Sequence, residues 1–281
     1  RNAVLPPDTD AAHSLSEVMT ALGGTCLVVP LDPKVRAALL ESGACRNVAT
    51  PAYMRILLRV RGADAVAKAG STAFLLEYCL SDLSPGQYGE LNGCPLVPTA
   101  DGGAGVFRVV SPVDGGSLAR LSEMGFTRLR SAHALRRCRG DEGAAVSYLA
   151  EPDADDVPGG GTDSTIFLAR GDGRALLRHA PALHVDGDAL ATDHPALLRF
   201  LGSDGCRSVL NVVPLSAEML PDVLEVALPA HWLGASAITH DVEAASPPLP
   251  DAGWFRSLWR FAAAVDAEVS VLANGWPLVP T

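Results

Sequence analysis

Residues 91–99 read Leu-Asn-Gly-Cys-Pro-Leu-Val-Pro-Thr, and residues 273–281 read Ala-Asn-Gly-Trp-Pro-Leu-Val-Pro-Thr. The shared phrase, Asn-Gly-x-Pro-Leu-Val-Pro-Thr, decides how the fold is read. Each copy follows a stretch with helical periodicity, turns at Asn-Gly, and continues as a short apolar run between two prolines. Proline cannot donate to a ladder, so that strand, read over Cys94–Val97 in the first copy, must be short. The repeated object is a helix–turn–strand unit. Internal self-similarity of this kind points to a piece of an array, not to one closed enzyme domain. The second copy stops at the last residue, and the chain opens on Arg1. The expectation is a repeat-containing fragment of a larger protein.

Upstream of the first copy, Ser14-x-x-Glu17 has the form of a capping box for a helix ending at Gly23-Gly24. Cys26–Val29 reads as a strand and Pro33–Leu40 as a helix. Thr50-Pro51 is an N-cap followed by proline at the first helical position. A further helix covers 64–83, loosened near Gly70, and Ser84-Pro85-Gly86 breaks it. Downstream, Asp101-Gly102-Gly103 is a turn that gives the apolar run a hairpin partner in Gly105–Val110. Helices are expected over 117–124 and 129–138, with strand-like pieces at Ala144–Leu149, Ser164–Ala169 and Ser208–Val213. His194-Pro195 opens a helix, Ser216 caps another, and Asp251 caps a strongly amphipathic one bearing Trp254, Phe255, Leu258 and Phe261. Helices mixed with short strands and no strict alternation give an irregular α+β class. The division expected is 1–138 as a first helix–strand repeat unit, 139–163 as an acidic and glycine-rich linker or loop, and 164–281 as a second, incomplete repeat unit.

Composition sets the outer bounds. Of 281 residues, 48% are hydrophobic, enough for a substantial core, and the formal net charge is −10. An acidic chain lacks the basic field of a general nucleic-acid binder. One stretch is locally basic: Arg120, Arg128, Arg130, Arg136, Arg137 and Arg139. It reads either as a solvated helix face or as a docking patch for an acidic partner. No run of about 18 apolar residues suggests a membrane span. The six cysteines form no C-x-x-C pair and mostly sit in apolar runs, so they read as buried free thiols of a reducing, cytoplasmic setting.

Motifs for chemistry are sparse. The glycine-rich stretches 102–106 and 158–162 lack both the Lys-Ser/Thr of a P-loop and the strand–helix context of a dinucleotide site. Gly-x-Ser-x-Gly and His-Glu-x-x-His are absent. Nothing near Cys206 supports a pair with His194 or His231. The densest His/Asp group is His179, His184, Asp186 and Asp188, for which a polar turn and a metal site are the two readings. The acidic stretch 151–156 lacks the glycine and distal glutamate of a calcium loop. Trp232, Trp254, Trp259 and Trp276 cluster late in the chain; Trp259 falls at the edge of its helix's apolar face, so core packing and a contact surface both fit. No catalytic, cofactor or metal residue is nominated.

The order of several phrases resembles a known family. Phe74-Leu75-Leu76-Glu77-Tyr78-Cys79-Leu80-Ser81-Asp82-Leu83, followed by Leu91-x-Gly93-x-Pro95-Leu96-Val97-Pro98-Thr99-x-Asp101-Gly102, resembles the repeat region of sacsin and related giant proteins. Leu228-Pro229-Ala230-His231-Trp232, and Trp254-Phe255-x-x-Leu258-Trp259 with Pro277-Leu278-Val279-Pro280, look like later elements of the same repeat. Cys94 and Trp276 stand where the family usually has leucine. The resemblance implies a chaperone or co-chaperone role, with other repeats of the chain, Hsp70-type chaperones and client proteins as partners. It implies that ATP is handled in an upstream Hsp90-like subdomain, whose acidic and Asp-x-Gly-x-Gly signatures do not occur here. The function expected is therefore a non-catalytic scaffold and client-contact segment. The alternative is a middle segment completing an Hsp90-like ATPase, for which Arg120, Arg128 and Arg130 would be the loose candidates to reach nucleotide.

Overall fold

The computed structural model describes residues 3–5, 12–22, 32–70, 72–150, 165–178, 183–229, 232, 250–267 and 278. In chain order the elements are β1 (Ala3–Leu5), α1 (Ala12–Ala21), α2 (Pro33–Glu41), β2 (Cys45–Val48), α3 (Pro51–Arg61), α4 (Ala63–Ala69), α5 (Thr72–Leu80), a 3-10 helix (Pro85–Leu91), β3 (Val97–Pro98) and β4 (Ala104–Gly105). There follow α6 (Gly115–Glu123), α7 (Arg128–Arg137), α8 (Glu142–Ala150), β5 (Ile166–Ala169), α9 (Asp172–Leu176), β6 (Leu183–Asp186), α10 (Gly187–Asp193), α11 (Pro195–Leu201), α12 (Asp204–Leu210), β7 (Val212–Pro214), a 3-10 turn (Ala217–Met219), α13 (Leu220–Ala227) and α14 (Ala252–Ala264). Helices dominate and the strands are short, in small sheets, so the class is α+β. The chain folds as two compact units, one of Arg1–Val109 with Leu190–Leu210, the other of Val110–Ala189 with Asn211–Thr281.

In the first unit, α3 starts where Thr50 accepts a hydrogen bond from the Tyr53 amide at 3.2 Å, with Pro51 in the first turn. Gly70, at φ +66°, ends α4, so the helix expected over 64–83 is two. The buried Arg55 guanidinium joins α3 to the end of α5, donating to the Cys79 carbonyl at 2.7 Å and to Asp82. The phrase 91–99 turns and pairs, but of the strand expected over Cys94–Val97 only Val97 is in the ladder. Gly93 turns at φ +75°, and Val97 and Pro98 pair antiparallel with Gly105 and Ala104. Asp101 closes the turn between the two strands by accepting from the Gly103 amide at 3.0 Å. Of the second copy only Leu278 belongs to the described residues; it is buried, and its carbonyl accepts from the Trp259 indole at 3.2 Å.

The second unit holds a parallel three-stranded sheet in the order β6-β5-β7. β5 is buried throughout. Phe167, Leu176, Leu215, Leu224, Trp232, Trp254 and Leu258 share one apolar core. Trp254 satisfies its buried N–H by donating to the Leu176 carbonyl at 3.1 Å. Asp251 caps α14 as expected, accepting from the Trp254 amide at 2.8 Å.

Four local expectations differ from what forms. Ala144–Leu149 is helical, within α8, so the stretch expected as a linker opens with a helix; residues 151–164 lie outside the described residues. Ser208–Val213 splits into the last turn of α12 and the start of β7. Ser14 is the third residue of α1 and not the residue before its start. Only part of the Gly105–Val110 stretch pairs as a strand, at β4. Cys26–Val29 lies outside the described residues.

Candidate functional site

Helices α6, α7 and α8 follow one another with short connections and share a core of their own. Leu121, Ala134, Leu135, Ala145 and Leu149 are buried at its centre, with Leu118, Phe126, Cys138 and Val146 packed around them. The first and third helices carry explicit start signals. Asp114 caps α6 by accepting from the Ser117 amide at 2.8 Å, and Asp141 accepts from the Ala144 amide at 3.0 Å at the start of α8. The turn from α7 to α8 uses Arg139 and Gly140, both at positive φ, and the Gly140 amide reaches back to the Leu135 carbonyl at 2.7 Å.

Side chains then tie the three helices together. Glu142, in the first turn of α8, accepts from the Ser117 hydroxyl at 2.7 Å and from Arg120 Nε at 2.8 Å, which anchors α8 to α6. The Arg120 and Ser117 hydrogen bonds hold the Glu142 carboxyl down to about 2. His133 of α7 meets the Tyr148 hydroxyl of α8 at 3.2 Å, and Arg137 stacks 5.1 Å above the same ring.

One place on this unit leaves apolar surface unused. The α6–α7 connection is Met124-Gly125-Phe126-Thr127. Met124 is 53% exposed, although it follows a helix whose Leu121 is fully buried. Gly125 turns at φ +93°, a conformation that L side chains rarely adopt. Phe126 is half-buried, one side against the bundle core. A flexible thioether and an aromatic ring on a tight, rigidly supported turn form a small apolar contact point suited to another protein's surface.

The residues singled out in the sequence fall as follows. Arg120 pairs with Glu142, Arg128 with Glu218 at 2.9 Å, and Arg130 with Glu225 at 2.9 Å. Three of the six arginines of the basic stretch are thus paired with carboxylates of their own unit, while Arg136 donates to the Ser111 carbonyl. Asp186 caps α10 through the amides of Asp188 and Ala189, each at 3.0 Å, and pairs with Arg174 at 2.6 Å. That is the polar-turn reading of the His/Asp group, and His179 lies outside the described residues. Among the described residues, no three His, Cys, Asp or Glu side chains are grouped to hold a metal. Cys206 is buried, which pushes its thiol up to about 12. His194 faces Glu77 at 3.3 Å. Trp254 and Trp232 are core residues, and Trp259 packs partly buried against the same core. The described cysteines, Cys45, Cys79, Cys94, Cys138 and Cys206, are all free thiols. Among the described residues no helix is long and apolar enough to cross a membrane.

Sequence reasoning missed Met124, Gly125 and Phe126. The available signal was a capped helix joined by Met-Gly-Phe to a second helix, with a third of similar length after it. Residues 117–149, which cover this bundle, match the UBA/TS-N domain family. No curated protein and no solved structure matches the chain. The resemblance to sacsin repeats therefore rests on the order of the sequence phrases, while the three-helix unit is independently similar to a protein-interaction domain.

Proposed function

We propose that this chain is a non-catalytic scaffold segment whose α6–α8 unit captures ubiquitin, or proteins carrying it, in cytoplasmic protein quality control. UBA domains bind ubiquitin and other proteins. The observation that carries the reading is the exposed Met124 on the glycine turn of a closed, UBA-like bundle. The sequence phrases shared with sacsin-type repeats supply the chaperone context, with other repeats, Hsp70-type chaperones and clients as further partners. In this reading the segment uses no cofactor of its own, and any ATP handling belongs elsewhere in the parent protein.

The test is a titration of the isotope-labelled chain with ubiquitin, followed by amide chemical shifts. Saturable shifts confined to Ser122–Arg128 and the facing end of the bundle are expected. Met124→Glu should abolish them while leaving the rest of the spectrum in place, because the side chain points to solvent and contributes little to stability. No shifts at millimolar ubiquitin, or equal shifts for Met124→Glu, would refute the proposal.

A further inference from the structure

We infer that the first turn of α7 and the acidic face of α13 form a pH-sensitive latch that fastens the three-helix unit to the sheet-bearing body of the second unit. Its centre is Asp222, 4% exposed, whose Oδ1 accepts from the Leu129 amide at 3.0 Å. The carboxylate therefore satisfies an otherwise orphan donor at the start of α7. Around it, the Thr127 hydroxyl reaches Glu225 at 3.4 Å, Arg130 pairs with Glu225 at 2.9 Å, and Arg128 pairs with Glu218 at 2.9 Å. Leu129 packs against the same core as Leu224 and Trp254. Helix α7 thus belongs to two packing systems, through Ala134 and Leu135 on one side and Leu129 on the other.

What makes the contact conditional is the second oxygen. Asp222 Oδ2 is buried without a well-formed hydrogen bond, as is the Ser131 hydroxyl on α7. A carboxylate removed from water with one oxygen poorly paired favours its protonated form. Burial pushes Asp222 up to about 6; the Thr127 hydroxyl, which lies between Glu225 and Asp222, and the Leu129 and Arg130 amides work against this, and the Glu225 charge adds to it. The charged and titratable groups facing the contact are Arg128 and Arg130 on α7, Glu218 on the 3-10 turn and Glu225 on α13, whereas His133 on α7 turns to Tyr148 instead.

The sign follows from linkage. Undocked, Asp222 is solvated and titrates as an ordinary aspartate, near 4. Between that value and about 6 the docked state binds the extra proton, so docking is tightest in acid and weakens as pH rises through the window. The docking equilibrium should change roughly tenfold between about pH 5 and about pH 7.5. The Met124–Phe126 loop leads directly into the latched turn, so the state of the latch sets how freely that loop moves. The latch itself needs no partner, and its test is independent of ubiquitin binding.

The experiment uses the whole chain, with the Asp222 side-chain carboxyl carbon followed by NMR and α7 amide exchange measured from about pH 5 to about pH 8, corrected for intrinsic rates. The expected result is an Asp222 midpoint near 6 and protection of the first turn of α7 that falls with rising pH, while Asp222→Asn, which stays neutral, shows a flat profile. Should that variant fold poorly, Glu225→Gln serves instead: removing the adjacent charge must lower the Asp222 midpoint. An ordinary carboxylate midpoint in the wild type, a pH profile shared by wild type and Asp222→Asn, or an unmoved midpoint in Glu225→Gln overturns the inference.

Discussion

Leu135→Ala is the perturbation that separates the three-helix unit from the rest of the molecule. Leu135 is 1% exposed and lies in the same buried cluster as Leu121, Ala134, Ala145 and Leu149. Leucine-to-alanine changes at fully buried sites cost about 2–5 kcal/mol, the upper end where the neighbours cannot collapse into the gap. Collapse is poor here, because two of the four central neighbours are already alanines and have no longer side chain to swing inward. The unit spans roughly 35 residues, and at about 0.05–0.15 kcal/mol per residue its own stability is about 2–5 kcal/mol. Cost and stability are therefore equal in scale, so the substitution should unfold α6 and α8, leaving α7 partly held by the Leu129 and Asp222 contacts. Native-state hydrogen exchange reads this directly. Amides of α6 and α8 should lose nearly all protection, those of β5 and α14 should keep theirs, and ubiquitin-induced shifts should vanish. Retained protection in α6 and α8 would mean that the bundle draws its stability from elsewhere, and the reasoning would fail.

Two further outcomes follow, one from the sheet-bearing core and one from the three-helix unit. Gly173 lies so close to α14 that an added Cβ would meet Phe261 at 3.0 Å and Leu215 at 3.1 Å; Gly173→Ala should cost about 1–3 kcal/mol in urea unfolding, as overpacked cores do. Glu142 is held at about 2 by Arg120 and Ser117, below its ordinary value of 4.5. Its contribution is therefore present above about pH 4.5 and lost as pH falls towards 2. Glu142→Gln should leave an acid-unfolding profile of α8 that is flatter across that window, followed by exchange or fluorescence.

Signals carried by neighbouring residues were legible in the sequence. Thr50-Pro51 and Asp251 start helices because each side chain reaches an amide three residues on, a contact the chain makes with itself. The prolines around Leu96-Val97 keep β3 short, and the Asp101-Gly102-Gly103 turn delivers its partner. Helix α8 was not legible. Val146 and Tyr148 favour strands locally, which masked the Asp141 cap, and Glu142 then ties the first turn to Ser117 and Arg120 across the bundle. The exposed Met124–Phe126 loop was hidden for a related reason. Met124 follows Leu121 by three residues, so helical periodicity assigns both to one buried face. Yet the helix ends at Glu123: Met124 is its C-cap, at φ −78° and ψ 0°, and Gly125 turns the chain away at φ +93°. The chain departs before the periodicity can bury Met124, and the Phe126 amide returns to the Leu121 carbonyl at 3.3 Å, so that Phe126 packs against the core in its place. Exposure of the methionine is thus a consequence of the glycine turn, and a pattern that counts only apolar spacing assigns this residue to the core.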